Sequence, residues 1–327
     1  MRALIFDRPA PDSTATRVGE LDAPAPLPGE LTIDVRAAGI NFIDVMARRG
    51  DPAYAPNWPF IPGLEAAGTV RALGPGVEGP AVGTPVAAFT RAGGLAEVAK
   101  VRAELAVPIP DGLSFEQAAI APGTLTTAAL LVQQAARLRA GETLLIHSAA
   151  GGVGQAVAAW ARLHGAGTLI GTVGSIERAA AAERSGFDHA LVRGDDLADR
   201  VRDLTNGRGV DVVLDPQGTE QLETDLDLLT QGGRIVLFGN AAGVPLSQLP
   251  QPGRLYAGNA SIGGFSMSSM SVHAPEIIAA ALQEVLQLAA DGQLSLELTT
   301  IDGLAAAADA QQALAEGRGA GKYVVRL

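Results

Sequence analysis

The stretch Thr143 to Gly154, TLLIHSAAGGVG, with the run QAVAAWARLHGA behind it, limits most sharply what this chain can fold into. Thr143, Leu144, Leu145 and Ile146 form a buried-strand run, whereas Val153, Ala156, Val157, Trp160 and Ala161 recur at helical spacing. A tight turn at Ser148 to Gly152 must therefore join strand to helix. Glycine in such a turn removes the Cβ that would hold a ligand off the backbone, and the free N–H groups at the helix start offer a site for pyrophosphate. On the dinucleotide fingerprint G-x-G-x-x-G, Ala149 takes the first position, Gly151 the second and Gly154 the third. Gly151, Gly152, Val153 and Gly154 are the expected contacts. The alternative, a glycine-rich turn with no ligand, is the weaker reading, because a strand leads in and a helix leads out.

Strand and helix signals then alternate. Thr168 to Val173, Ala190 to Val192, Val210 to Leu214 and Gly233 to Phe238 read as strands, with helices over Ile176 to Ser185, Asp196 to Leu204 and Glu220 to Leu229. This predicts a doubly wound parallel sheet, helices on both faces, with ligands at the carboxyl ends of the strands. Residues 1 to about 121 differ in texture. Short β-rich runs (Ala3 to Phe6, Leu31 to Val35, Gly68 to Ala72, Pro85 to Phe89, Leu95 to Val101) are separated by Pro and Gly clusters, the spacing of a small barrel or sandwich. One short helix interrupts them, Phe42 to Arg48, with Asn41 and Gly50 as its caps. A further helix is expected over Leu125 to Leu138. After Ser261 to Phe265 come a link, SMSSMS, a long helix, Pro275 to Ala290, and a last strand, Lys322 to Arg326, suited to complete the N-terminal barrel.

At 327 residues, two domains are the default expectation. A net charge of −11 and a pI near 4.8 argue against nucleic acid or an anionic membrane as partner. The chain has no cysteine, which removes disulfides, thiol catalysis and thiolate-rich zinc sites, and fits a cytoplasmic setting. No stretch approaches the ~18 apolar residues of a membrane span, so a soluble protein is expected.

Taken in order, GINFIDVMARRG, PFIPGLEAAGTV, AAGGVG, NGRGVDVVLD and GKYVV resemble the zinc-independent quinone oxidoreductase branch of the medium-chain dehydrogenase/reductases. The resemblance implies a GroES-like catalytic domain of residues 1–121 and 267–327, a Rossmann domain of residues 122–266, and an active site in the cleft. Zinc-using members carry a cysteine near the short helix and a His-Glu pair in the later motif, where this chain reads Gly39, Ile40, Asn41 and Gly63, Leu64, Glu65. A lone carboxylate cannot hold a catalytic zinc, which needs three protein ligands. Glu65 is therefore read as structural, and no metal is expected. His147, His164, His189 and His273 are scattered, as packing or surface residues would be.

The nicotinamide cofactor is distinguished at the end of the second strand. Recognition of a free ribose 2′-hydroxyl calls for an acid about 20 residues past the glycines, yet this strand ends Thr172, Val173, Gly174, Ser175. Ser175 and Arg178 offer a hydroxyl and a guanidinium at a helix start, a pair suited to a phosphate dianion, and the resemblance implies that they bind the 2′-phosphate of NADPH beside Gly174. The family's nearby tyrosine is missing. Arg193 either replaces it or faces solvent, and Glu177 either compensates Arg178 or favours the unphosphorylated ribose. Gly239 and Asn240, after the sixth strand, should lie by the nicotinamide, and Phe265 joins the cofactor contacts.

Hydride transfer to a quinone or an α,β-unsaturated carbonyl is chemistry the cofactor carries, while the protein orients the partners and stabilises developing oxyanion charge. Asn41 and Asp44 match positions lining the family's cleft, yet they also read as N-cap and first-turn acid of one helix. Thr126 matches a threonine near the nicotinamide, with a helix-start hydroxyl as the other reading. Where relatives often carry tyrosine this chain has Met46, and Tyr54 is the alternative. The expected activity is a metal-free, NADPH-dependent reduction of a quinone or enone. The alternatives are an enoyl-thioester reductase and a low-turnover NADPH-binding regulatory protein. A homodimer is expected through the strand Ala260 to Phe265, an edge without Lys or Pro.

Overall fold

Where strand and helix signals alternate, the strands form one parallel sheet: β1 (Leu144–Ile146), β2 (Leu169–Val173), β3 (His189–Val192), β4 (Val210–Asp215), β5 (Leu229–Leu237) and β6 (Ser261–Gly264). They lie in the order β3-β2-β1-β4-β5-β6, every neighbouring pair parallel. This is the doubly wound Rossmann order, with its reversal between β1 and β4. The inner strands read as unbroken apolar runs because both faces are covered; Leu145, Ile170, Val213 and Ile235 share one buried core. β6 pairs with β5 alone, and Ser261, Gly263 and Gly264 are exposed.

The computed structural model describes residues 1–51, 54–246, 249–319 and 321–327. The chain divides into two compact units, Met1–Thr127 with Met267–Leu327, and Ala128–Ser266. The first unit is built on a seven-stranded sheet centred on strand Glu30–Gly39, which pairs antiparallel with Glu65–Leu73, Val98–Arg102 and the terminal strand Lys322–Arg326. Register shifts at Thr32/Ile33 and Val35/Ala37 let that central strand run on past Val35, where the sequence signal ends. The short helix is Phe42–Arg49, closed by Gly50 in the left-handed conformation, φ 80°.

Two segments differ from expectation. The predicted helix Leu125 to Leu138 is an α-helical Thr126–Leu130 between wider turns, Ala121–Leu125 and Leu131–Ala135. Pro122 has no N–H to give, and the hydroxyls of Thr126 and Thr127 bond back to the carbonyls of Ala121 and Gly123. Both features loosen the normal ladder. The SMSSMS link is largely helical, Met267–His273. Its Met267 and Ser271 are buried and the Ser271 hydroxyl bonds to Ser268 O at 2.8 Å, so packing overrides a weak local propensity. Among the described residues no helix is long and apolar enough to cross a membrane.

Candidate cofactor turn and active-site cluster

β1 ends beneath the glycine turn. Ser148 takes φ 60°, a sparsely populated conformation for a non-glycine residue, and Gln217 holds it by donating from Nε2 to Ser148 Oγ at 2.7 Å. Gly151 is the extended N-cap of helix Gly152–Leu163. A Cβ on Gly154 would lie 2.5 Å from Ala149 O and 2.7 Å from Ser148 O, so no side chain fits there. Gly174 follows β2 at the sheet's carboxyl end, and a Cβ built on it would come 3.3 Å from Arg193 Nη2. Arg193 is exposed, with its guanidinium near the tip of β2.

Ser175 sits at the N-cap of helix Ile176–Arg184 without making a cap bond. Its hydroxyl bonds instead to Glu177, holding that carboxyl below its usual range. Arg178 is half-buried one turn into the helix. Gly239 and Asn240 follow β5, and Phe265 follows β6 with its N–H on Leu237 O at 2.8 Å. Asn240 donates from Nδ2 to Val244 O at 2.9 Å, while its buried Oδ1 has no partner among the described residues.

Below this turn lies a buried group that sequence reasoning missed. His147 bonds Thr172 Oγ1 and Asp225 Oδ1, each at 2.8 Å, and Asp215 Oδ1 accepts the Gln217 N–H at 2.6 Å. Burial, reinforced by the charge of Asp225, pushes Asp215 up to about 7. The folded protein thus keeps a proton here that the unfolded chain releases near pH 4. Stability from this group is expected to fall by up to about 1.4 kcal/mol per pH unit as pH rises from roughly 4 to 7. Urea titrations of the wild type and Asp215→Asn across that range test it, since the variant should lose this slope.

The other unit carries a second buried polar cluster. Glu65, fully buried, accepts four hydrogen bonds and pairs with an ammonium. Asn41 Nδ2 and Thr124 Oγ1 donate to its Oε1 at 2.9 and 3.0 Å, the Gly123 and Thr124 N–H groups donate to its Oε2 at 2.7 and 3.0 Å, and Lys322 Nζ lies 2.6 Å from Oε1 as its ion-pair partner. A Cβ on Gly123 would lie 2.8 Å from that Oε2, so glycine is what lets the backbone approach. Lys322, 3% exposed, also donates to Ile40 O at 2.8 Å and Asn41 Oδ1 at 2.7 Å. Asn41 is the N-cap, in a reciprocal capping box with Asp44, and its amide also belongs to this cluster. Asp44 accepts the Asn41 and Gly63 N–H groups at 2.8 and 3.0 Å, and burial pushes its carboxyl up to about 6. Thr126 is fully buried, Met46 packs in the core, and Tyr54 is half-buried.

Glu65, Thr124 and Lys322 were not singled out as site residues from the sequence. The signal for Lys322 is a lysine that opens a short last strand, ahead of Tyr323, Val324 and Val325. Zinc does not fit this cluster. The Glu65 oxygens are filled, the chain has no cysteine, and no group of three His, Asp or Glu suited to a metal occurs among the described residues.

A Rossmann sheet with a glycine turn in one unit and a largely antiparallel sheet that takes in the last strand in the other define a medium-chain dehydrogenase/reductase. The family model of the alcohol dehydrogenase GroES-like domain matches residues 27–111, and that of the zinc-binding dehydrogenases matches residues 152–289. A quinone oxidoreductase of Pseudomonas aeruginosa is 38% identical over 307 residues, 92% of each chain. The solved Escherichia coli quinone oxidoreductase complexed with NADPH superposes with a TM-score of 0.89 at 29% identity, over 100% of both chains. A mycobacterial protein complexed with NADPH gives 0.91 at 31%, also over 100% of both. The chain belongs to the zinc-independent quinone oxidoreductase branch of the medium-chain dehydrogenase/reductases.

Proposed function

We propose that this chain is an NADPH-dependent oxidoreductase that reduces a quinone or an α,β-unsaturated carbonyl without metal. The observation that carries the reading is the tip of β2 and β3. Gly174 and Ser175 follow β2, the Arg193 guanidinium lies near Gly174, Arg178 is one turn into the helix that Ser175 begins, and the Ser175 hydroxyl already engages the Glu177 carboxyl. A 2′-phosphate suits that set better than a neutral hydroxyl would. The residues fit the rest of a dinucleotide as well: Gly154 leaves no room for a side chain under the turn, and the unpartnered Asn240 Oδ1 is free to accept from a bound amide.

In this reading the unit Ala128–Ser266 is the cofactor domain and the unit of Met1–Thr127 with Met267–Leu327 the catalytic domain, the boundary lying a few residues past residue 122. The Gly151, Gly152, Val153 and Gly154 backbone holds the pyrophosphate. Gly174, Ser175, Arg178 and Arg193 hold the 2′-phosphate, and Gly239, Asn240 and Phe265 serve the nicotinamide end. When bound, the cofactor supplies the hydride. Asn41 donates an amide N–H to the substrate oxygen as negative charge develops, and Asp44 keeps helix Phe42–Arg49 in register beneath it; Thr126, fully buried with its hydroxyl on Ala121 O, takes the helix-start role instead. A chain without cysteine suits a reducing, cytoplasmic setting.

The direct test is steady-state oxidation of NADPH with a panel of quinones, enones and an enoyl thioester. Turnover with the first two classes supports the reading, and turnover with the thioester alone replaces it. Full activity is expected after exhaustive chelation, with no stoichiometric zinc by elemental analysis; one tightly held zinc per chain would overturn metal independence. We also propose a homodimer formed by pairing of the exposed β6 edge with its own copy. Sedimentation at micromolar concentration is expected to show twice the chain mass, and a monomer alone removes the proposal.

A further inference from the structure

We propose that Lys322 is a positioning residue: its ammonium takes the place of a metal at Glu65 and fixes which end of the Asn41 amide is oxygen. This rests on the role proposed above for Asn41. The ammonium donates to Asn41 Oδ1 at 2.7 Å and to Ile40 O at 2.8 Å, and pairs with Glu65 Oε1 at 2.6 Å. An ammonium only donates and a carboxylate only accepts. With Lys322 on one side of the amide and Glu65 on the other, Asn41 has a single permitted orientation, Oδ1 on the lysine and Nδ2 on the glutamate at 2.9 Å. One Nδ2 hydrogen is then spent on Glu65, and the other has only a long contact with Gly39 O, 3.4 Å. That second hydrogen is the one a substrate oxygen can recruit.

The arrangement explains how a fully buried carboxylate can be compensated without a metal. The cation comes from the chain itself, and the amide it orients is neutral, so no proton need be lost to prepare the site. Replacing both charged partners by neutral residues of similar size, Glu65→Gln with Lys322→Met, removes the polarity that sorts the two ends of the amide. Neither charge is left uncompensated, so the fold is kept.

The experiment compares the wild type, Asn41→Ala, Glu65→Gln/Lys322→Met and the triple variant, using NADPH and 1,4-benzoquinone. The double variant is expected to fold and to bind NADPH as the wild type does, and to lose about ten- to a hundredfold in kcat, the scale for a misplaced group. The triple variant should be no slower than Asn41→Ala, since both changes disable the same group. A double variant with wild-type kcat, or losses that multiply in the triple, overturns the inference and leaves Lys322 a role in the fold alone. A fully active Asn41→Ala overturns both the inference and the assignment of Asn41.

The Asn41 side-chain NH2 resonances, identified by their absence from Asn41→Ala, read the orientation with no turnover needed. Two dispersed signals in the wild type that merge toward the solvent-exposed position in the double variant support the inference even if benzoquinone proves not to be a substrate. Signals that do not move overturn it.

Discussion

Glu65→Ala is expected to destabilise the folded protein by about 3–5 kcal/mol, the scale for removing one partner of a buried ion pair. The loss is larger than for an exposed pair because Lys322 is 3% exposed and would keep a positive charge with no anion beside it. The Gly123 and Thr124 N–H groups would lose their acceptor in the same step. Lys322→Met should cost a similar amount by stranding the carboxylate. The neutral double variant Glu65→Gln/Lys322→Met should recover most of either loss. Denaturant titrations of the three proteins check this, and a Glu65→Ala midpoint close to that of the wild type would mean that water reaches the cluster.

Arg178→Ala is expected to weaken NADPH binding by about one to two orders of magnitude and to leave NADH binding nearly unchanged. A well-formed charge-assisted hydrogen bond contributes roughly 1.5–3 kcal/mol, which converts to that range. On the proposed reading, arginine carries much of the selectivity. The Ser175 hydroxyl makes no cap bond and is engaged by Glu177, so a phosphate must compete with a carboxylate for it. Titration of both cofactors against wild type and variant measures the difference. A wild type that binds NADH as tightly as NADPH, or a variant weakened equally for both, would shift recognition to Glu177 or the backbone.

Local signals made the Rossmann unit legible. The run from Thr143 to Gly154 announces strand, turn and helix within a dozen residues, and the apolar strands that follow report burial on both faces. Boundaries moved where backbone and side chains compete. Thr126 and Thr127 bond back into their own helix, and β5 begins at Leu229, earlier than its apolar stretch suggests. The polar clusters were hidden because their members are distant in sequence. Asn41 and Lys322 are 281 positions apart, and His147 and Asp225 are 78 apart. Each of these residues has an ordinary local explanation, as helix cap, strand start, packed histidine or helix acid. Only the pairing of strand Lys322–Arg326 with Glu30–Gly39 brings the lysine to Glu65.

That pairing also sets an order of events during synthesis. Residues Ala128–Ser266 are continuous and can fold as soon as they leave the ribosome. The Glu65 carboxylate has to wait for its counter-ion. Lys322 is added 257 positions after Glu65, a delay of roughly ten seconds to a minute at ~5–20 residues per second. Until then the acid stays hydrated and the sheet around Glu30–Gly39 lacks a neighbour, so the earliest-made part of the chain is among the last to be finished.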